Sequence, residues 1–246
     1  RQAIYASVCL PWEGQVASVS VAASSVEVIG IPVHVIRAGE GTGSNVLLLH
    51  GQAFSSATWQ ELGTVQTLAA MGCSIAAIDL PGYGKTPPSL ISNKVEFMEE
   101  LMSKLSFKPE NTVIVSPSLS GRFSLAFLKK HPSLLKGFVP VAPVGTELLG
   151  CPSSNASGDA ARNMLVTHPT LRNHTPSNLP DLSCYTTPTM VVFGEQDSPG
   201  FLQGCALLST MPRASAQMIP KAGHPAYLDN AHTWHSLLYN FLVALQ

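Results

Sequence analysis

Short runs of aliphatic and β-branched residues recur along the chain, and between them apolar residues return every three or four positions. The runs at 16–22, 28–37, 45–49, 74–79, 112–116, 137–142, 188–193 and 215–219 predict strands. Trp59, Leu62, Val65 and Ala69 fall at helical spacing, as do Leu119, Phe123, Ala126 and Phe127. Near the end Trp234, Leu237, Leu238, Phe241 and Leu242 follow i, i+3, i+4, i+7, i+8. Such faces are core faces, and their aromatics are given no ligand role. Strands alternating with helices predict an α/β chain, a mostly parallel eight-stranded sheet flanked by helices.

The rhythm breaks at residues 145–187, where Pro, Ser, Asn and Thr concentrate and the apolar stretch Met164–Val166 stands almost alone. A connection of that length inside one domain is usually functional or disordered. Lying between two predicted core strands, it is expected to form a lid-like insertion over the carboxyl ends of the sheet. A length of 246 residues with no internal repeat fits a single domain, 1–246.

Charge narrows the partners. Charged residues make up 12% of the chain and the formal net charge is −1, so no basic face is offered to nucleic acid or to an anionic membrane. No stretch is long and apolar enough to predict a transmembrane span. The chain starts at Arg1, so a signal or anchor upstream is expected to have been cut away or left out. A small-molecule or protein substrate and a monomeric state are the expectations.

Five cysteines, Cys9, Cys73, Cys151, Cys184 and Cys205, form no CxxC pair, so neither a zinc site nor a dense disulfide framework is predicted. Most are expected to be small buried hydrophobes. Cys151 and Cys184 differ, because they bracket a loop that carries the sequons Asn155-Ala156-Ser157 and Asn173-His174-Thr175. Together these lean toward a secretory compartment.

The candidate chemistry begins at residues 113–121, VIVSPSLSG, a strand that ends in serines at alternate positions. A serine hydroxyl is a poor nucleophile unless a base takes its proton, an acid orients the base and donors await the oxyanion. Ser116-Pro117-Ser118-Leu119-Ser120-Gly121 fits a small-x-Ser-x-small strand-to-helix turn presenting Ser118, although Ser occupies both places where G-x-S-x-G has Gly. The plain alternative is a serine helix cap. Past the run ending at Phe193 comes Gly194-Glu195-Gln196-Asp197, and past the run ending at Ile219 comes Lys221-Ala222-Gly223-His224-Pro225. Ser118, Asp197, His224 is the nucleophile, acid, base order that accompanies such a turn. Glu195 is a rival acid and Asp229 a second. Leu47-Leu48-Leu49-His50-Gly51-Gln52 is where a second oxyanion amide is expected, at Gln52, with Leu119 supplying the first; His50 reads as a brace for that loop.

Over nearly its whole length the chain resembles the α/β-hydrolases, and more closely the α/β-hydrolase domain-containing protein 14 group. The matching segments are VLLLHGQAFSSATWQELGT, AIDLPGYGKT, VIVSPSLSGRFSLAFL, GFVPVAP, PTMVVFGEQD and KAGHPAYLD. Ser-Pro-Ser-Leu-Ser-Gly in place of Gly-x-Ser-x-Gly is a mark of that group. The resemblance implies Ser118 as nucleophile, Asp197 as acid and His224 as base, with no metal and no required cofactor. It also implies activity toward small acetyl esters or amides, including acetyl-lysine, with coenzyme A as one acyl acceptor. The group has a cytosolic and nuclear branch and a membrane-anchored one, so location stays open between cytoplasm or nucleus and the secretory lumen. Residues 145–187 are longer than the group's usual connection.

Other signals lead elsewhere. Gly82-Tyr83-Gly84-Lys85-Thr86 ends like a phosphate loop, but the earlier glycine is replaced by Asp79 and Pro87-Pro88 block the helix that would hold phosphate. His232 and His235 lack a third ligand and read as solvated helix histidines. A dehalogenase or epoxide hydrolase needs Asp at position 118. The rival of another class is a non-catalytic binding or scaffold protein that keeps the fold with an idle triad.

Overall fold

Eight strands form one sheet in the order β1-β2-β4-β3-β5-β6-β7-β8. They are β1 Val21–Val28, β2 Ile31–Ala38, β3 Asn45–Leu48, β4 Ser74–Ile78, β5 Thr112–Pro117, β6 Gly137–Val141, β7 Thr189–Gly194 and β8 Ala214–Ile219. β1 pairs antiparallel with β2 and β2 with β4; the remaining neighbours are parallel. The helices are α1 Ser56–Glu61, α2 Thr64–Ala70, α3 Lys94–Leu105, α4 Gly121–Lys130, α5 Pro169–Arg172, α6 Pro199–Leu208, α7 Ala226–Asp229 and α8 Ala231–Ala244. The computed structural model describes residues 19–41, 43–152, 166 and 168–246. The expectations for residues 16–18, Cys9, the Asn155 sequon and Met164 lie outside them.

Two expected boundaries move. The first strand runs Val21–Val28 rather than 16–22, and the run 28–37 does not form one strand. The chain reverses at Ile29-Gly30, both at positive φ (43° and 78°), the signature of a tight hairpin turn. Isoleucine rarely adopts that conformation, which is why alternation carries straight through the turn in the sequence. Likewise the stripe Trp59 to Ala69 covers two helices, because Gly63 at φ 78° ends the first before α2 starts.

Successive residues of the central strands feed opposite layers. Val46, Leu48, Val113, Val115, Met190 and Val192 pack with Trp59, Val65 and Leu68 of α1 and α2 and with Trp234, Leu238 and Leu242 of α8. Leu47, Ile114, Val191 and Phe193 pack on the other face with Phe97 and Leu101 of α3, Leu125 and Leu128 of α4, and Leu202 and Ala206 of α6. Burial on both faces is what a parallel sheet covered by crossover helices requires. All parallel strands therefore deliver their carboxyl ends to one edge.

The described parts of 145–187 join this core. Leu149, Leu171, Leu182 and Tyr185 are buried beneath the surface, and Cys151 and Cys184 form a disulfide with Cα atoms 5.9 Å apart. Cys73 and Cys205 are free and buried, as expected of small hydrophobes. No helix among the described residues is long and apolar enough to cross a membrane.

His235 corrects another expectation. It is half-buried, and its Nε2 lies 2.9 Å from Thr64 Oγ1, which also accepts from Trp234 Nε1 at 3.4 Å. The hydrogen bond between Thr64 and His235 ties α8 to the start of α2 across the sequence.

Burial, helped by neighbouring His232, pushes the His235 imidazole down to about 4 from the ordinary 6.5. The folded chain then resists a proton that the unfolded chain accepts. Stability is complete above pH 6.5 and falls as pH drops toward 4, by up to about 3 kcal/mol from this side chain. His50 and His168, also lowered by burial, act in the same direction. Denaturant unfolding between pH 7 and pH 4 should show this decline, and His235→Gln should flatten part of it; identical slopes would contradict the assignment. The Cys151–Cys184 bridge spans a sequence separation of 33 residues, so Cys151→Ser should lower unfolding stability by about 3–4 kcal/mol in chemical denaturation.

Candidate active site

β5 is buried along its whole length and stops at Pro117, and a short 3₁₀ turn, Ser118–Ser120, leads straight into α4. Between strand and helix Ser118 takes φ 48°, a left-handed conformation that costs a non-glycine residue about 1 kcal/mol or more. The turn is held from three sides. The Val144 amide donates to the Ser118 carbonyl at 2.8 Å. Ser116 Oγ lies 2.9 Å from Ser120 Oγ and 2.6 Å from Ser124 Oγ, while Ser120 Oγ donates to the Pro117 carbonyl at 2.7 Å. Finally Gly121 sits so close to Val144 and Pro143 that a Cβ there would collide with the Val144 carbonyl. The serine-cap alternative fails, since neither the turn nor α4 has a side-chain cap.

The ends of β7 and β8 bring the other two residues to Ser118. His224 Nε2 is 2.8 Å from Ser118 Oγ, and His224 Nδ1 is 3.1 Å from Asp197 Oδ2. Asp197 is sealed, with 1% of its side chain exposed, and its second oxygen accepts from the Ser198 amide at 2.7 Å. The Phe201 ring stacks on the His224 imidazole with centroids 3.8 Å apart. An imidazole held by a carboxylate on one side and a ring on its face has little freedom to turn away from Ser118.

The rival carboxylates have other tasks. Glu195 accepts the Lys221 amide at 2.8 Å and Asp229 the Gly223 amide at 2.7 Å, so both shape the loop carrying His224 without touching its ring. His50 braces the opposite wall as expected. Its Nδ1 meets the Gly51 carbonyl at 2.8 Å and its Nε2 accepts the Leu80 amide at 2.9 Å, which fixes the Nδ1–H tautomer. Burial lowers its pKa, so it stays a neutral strut. Asp79 completes the bracing by accepting the Ser56 amide at 2.7 Å and the Lys85 amide at 2.8 Å. That is the structural use of the segment resembling a phosphate loop.

These walls enclose a cavity of about 500 Å³ lined by Gly51, Gln52, Phe54, Ser118, Phe201 and Tyr227, with Ala53, Pro117, His224 and Pro225 completing it. Among the described residues no Asp, Glu, Lys or Arg lines it. The Gln52 amide donates to no group among the described residues, and the Leu119 amide follows Ser118 in the turn. Phe201 and Tyr227 were not singled out by sequence reasoning. The available signal was position, since each closely follows a triad candidate: Phe201 follows Asp197 by four residues and Tyr227 follows His224 by three. No cluster of metal-ligating side chains occurs among the described residues.

Residues 45–183 match the α/β hydrolase fold family. ABHD14A of Danio rerio is 34% identical over 204 residues, covering 81% of this chain, which spans 64% of that protein's length. Human ABHD14B, named as a candidate protein-lysine deacylase, is 34% identical over 239 residues, covering 94% of this chain and 99% of that protein. Among solved structures, naproxen esterase from Bacillus subtilis superposes with a TM-score of 0.67 at 16% identity, over 91% of this chain and 92% of the other. At that identity the likeness is one of fold.

The geometry separates the candidate acids. If Asp197 orients His224, Asp197→Asn should lower kcat on an acyl ester by three to four orders of magnitude with KM little changed. Glu195→Gln should cost less than about tenfold, since it alters only a loop anchor. Steady-state kinetics of both variants decides; a larger loss from Glu195→Gln would transfer the role.

Proposed function

The chain belongs to the α/β-hydrolase fold family and, within it, to the ABHD14 group, and we propose that it is a serine hydrolase cleaving short acyl esters or amides through an acyl-enzyme. The observation that carries this reading is the unbroken line Asp197–His224–Ser118, at 3.1 and 2.8 Å, opening into an uncharged cavity.

In this reading Ser118 Oγ attacks the acyl carbonyl while His224 Nε2 takes its proton. Asp197 holds the Nδ1–H tautomer and faces the imidazolium that forms. The oxyanion is met by the amides of Gln52 and Leu119, fixed dipoles that need no rearrangement as charge develops. Collapse expels the alcohol or amine with the proton returned by His224. Water, deprotonated by the same imidazole, then releases the carboxylic acid.

Cavity chemistry limits the substrate. Walls of Phe54, Pro117, Phe201 and Pro225 with no ionised lining residue favour a neutral acyl group. An acetylated lysine side chain is neutral and slender, so it fits, in keeping with the name of human ABHD14B. Coenzyme A is a second acceptor to be tried against water. An idle-triad scaffold is disfavoured by the hydrogen-bonded geometry of all three side chains.

A fluorophosphonate probe should label the protein at Ser118 alone, and Ser118→Ala should abolish labelling. Peptide mapping that finds the adduct on Ser116 or Ser120, or labelling that survives Ser118→Ala, would refute the nucleophile. Turnover across acetyl to decanoyl esters and acetyl-lysine peptides, with and without coenzyme A, should be highest for short acyl groups. Formation of acyl-coenzyme A identifies the acceptor.

A further inference from the structure

Tyr227 lies in the cavity with an unused donor. The residue is 2% exposed, and its ring is packed against Trp59 at 4.7 Å, Trp234 at 6.0 Å and Phe54 at 6.2 Å between centroids. A tyrosine so deeply packed ordinarily finds a partner for its hydroxyl. Among the described residues this hydroxyl has none, yet it is not one of the sealed, unsatisfied polar atoms, which are Gln66 Oε1 and His168 Nδ1. The ring is therefore core and the oxygen faces the cavity that Tyr227 lines.

Its position is defined through Gly51. A Cβ on Gly51 would stand 3.8 Å from Tyr227 Oη and 3.6 Å from Ser118 Cβ. The hydroxyl thus borders the gap between the nucleophile and the Gly51-Gln52 loop, where an acyl carbonyl bonded to Ser118 must turn its oxygen. The missing side chain at Gly51 keeps that gap clear.

We propose that Tyr227 is a further catalytic residue, its phenol donating a hydrogen bond to the oxygen of the reacting acyl group beside the backbone amides. The inference rests on the serine hydrolase reading above. Burial raises the phenol's pKa, so the proton remains in place across the working pH range. The group acts as a donor and transfers no proton. Removing one donor from an oxyanion site typically costs about 10²–10³ in kcat.

The test is Tyr227→Phe, which keeps the ring and deletes only the donor. The midpoint of thermal unfolding should stay within a few degrees of wild type, because the aromatic packing is preserved. The expected result is a fall in kcat on a short acyl ester of about 10²-fold, KM changing less than threefold, with an unaltered pH–rate profile. The rate of labelling by a fluorophosphonate, whose phosphoryl oxygen occupies the same place, should fall in parallel. Wild-type labelling and turnover matched within twofold by Tyr227→Phe would overturn the inference and leave the hydrolase reading standing. A wild-type protein not labelled at Ser118 would overturn both. Should Tyr227→Phe misfold, Tyr227→Met repeats the measurement with an apolar side chain that fills irregular space.

Discussion

A serine held at positive φ at the end of a fully buried strand is the constraint on which the remaining architecture depends. Left to itself, the chain would relax Ser118 into an ordinary helix start, and the hydroxyl would turn away from His224. The Val144 amide prevents this by holding the Ser118 carbonyl at 2.8 Å, and the close approach of Gly121 to Pro143 and Val144 leaves the turn no other path. The three buried hydroxyls of Ser116, Ser120 and Ser124 satisfy one another beneath it. Serine in place of the usual glycines is therefore consistent with the turn. A second hydroxymethyl group is tolerated where it finds a partner, and an isolated one would be an unsatisfied buried group costing about 1–3 kcal/mol.

The walls facing the elbow are positioned by polar groups that have left water. His50 joins the loop after β3 to the loop after β4, and Asp79 joins the latter to the start of α1. Trp59 adds a third tie by donating to the Leu49 carbonyl at 2.8 Å. Each of these buried polar groups is hydrogen-bonded to backbone, which ties the loops to one another. Two similar residues are thus placed differently: His224 lines the cavity with Nε2 2.8 Å from Ser118 Oγ, while His50, its pKa lowered by burial, is tied to backbone on both ring nitrogens.

Legibility of the sequence follows from how local each determinant is. The central strands and the helices carrying Phe123 and Trp234 were readable because their periodicity is written within a dozen residues, whereas α3 and α6 were not named in advance; the candidates Ser118, Asp197 and His224 were readable because each follows a strand in a known order. The β1–β2 turn was not, since Ile29 is a residue that no turn rule nominates. In 145–187 the buried side chains Leu149, Leu171, Leu182 and Tyr185 are isolated in the chain, so their contribution to the core appears only when the segment is folded back on the sheet. His235 looked solvated because its partner, Thr64, is 171 residues away. Tyr227 was hidden for a related reason. Its ring obeys the core pattern, and only the three-dimensional position of one oxygen distinguishes it.

An uncharged cavity around a buried carboxylate–imidazole pair also bears on how a cycle ends. Fixed dipoles act more strongly on a developing oxyanion where the surroundings are apolar, so in the proposed reading the apolar lining by Phe54, Phe201 and Pro225 strengthens the action of the backbone amides. The same environment disfavours ions that are not matched by a partner. In the proposed reading a neutral acyl-lysine enters without losing the hydration of a charge. Its products are an amine that protonates and a carboxylic acid that ionises, and both prefer water to these walls. Entry and release are then separated by a change in charge that the reaction itself produces.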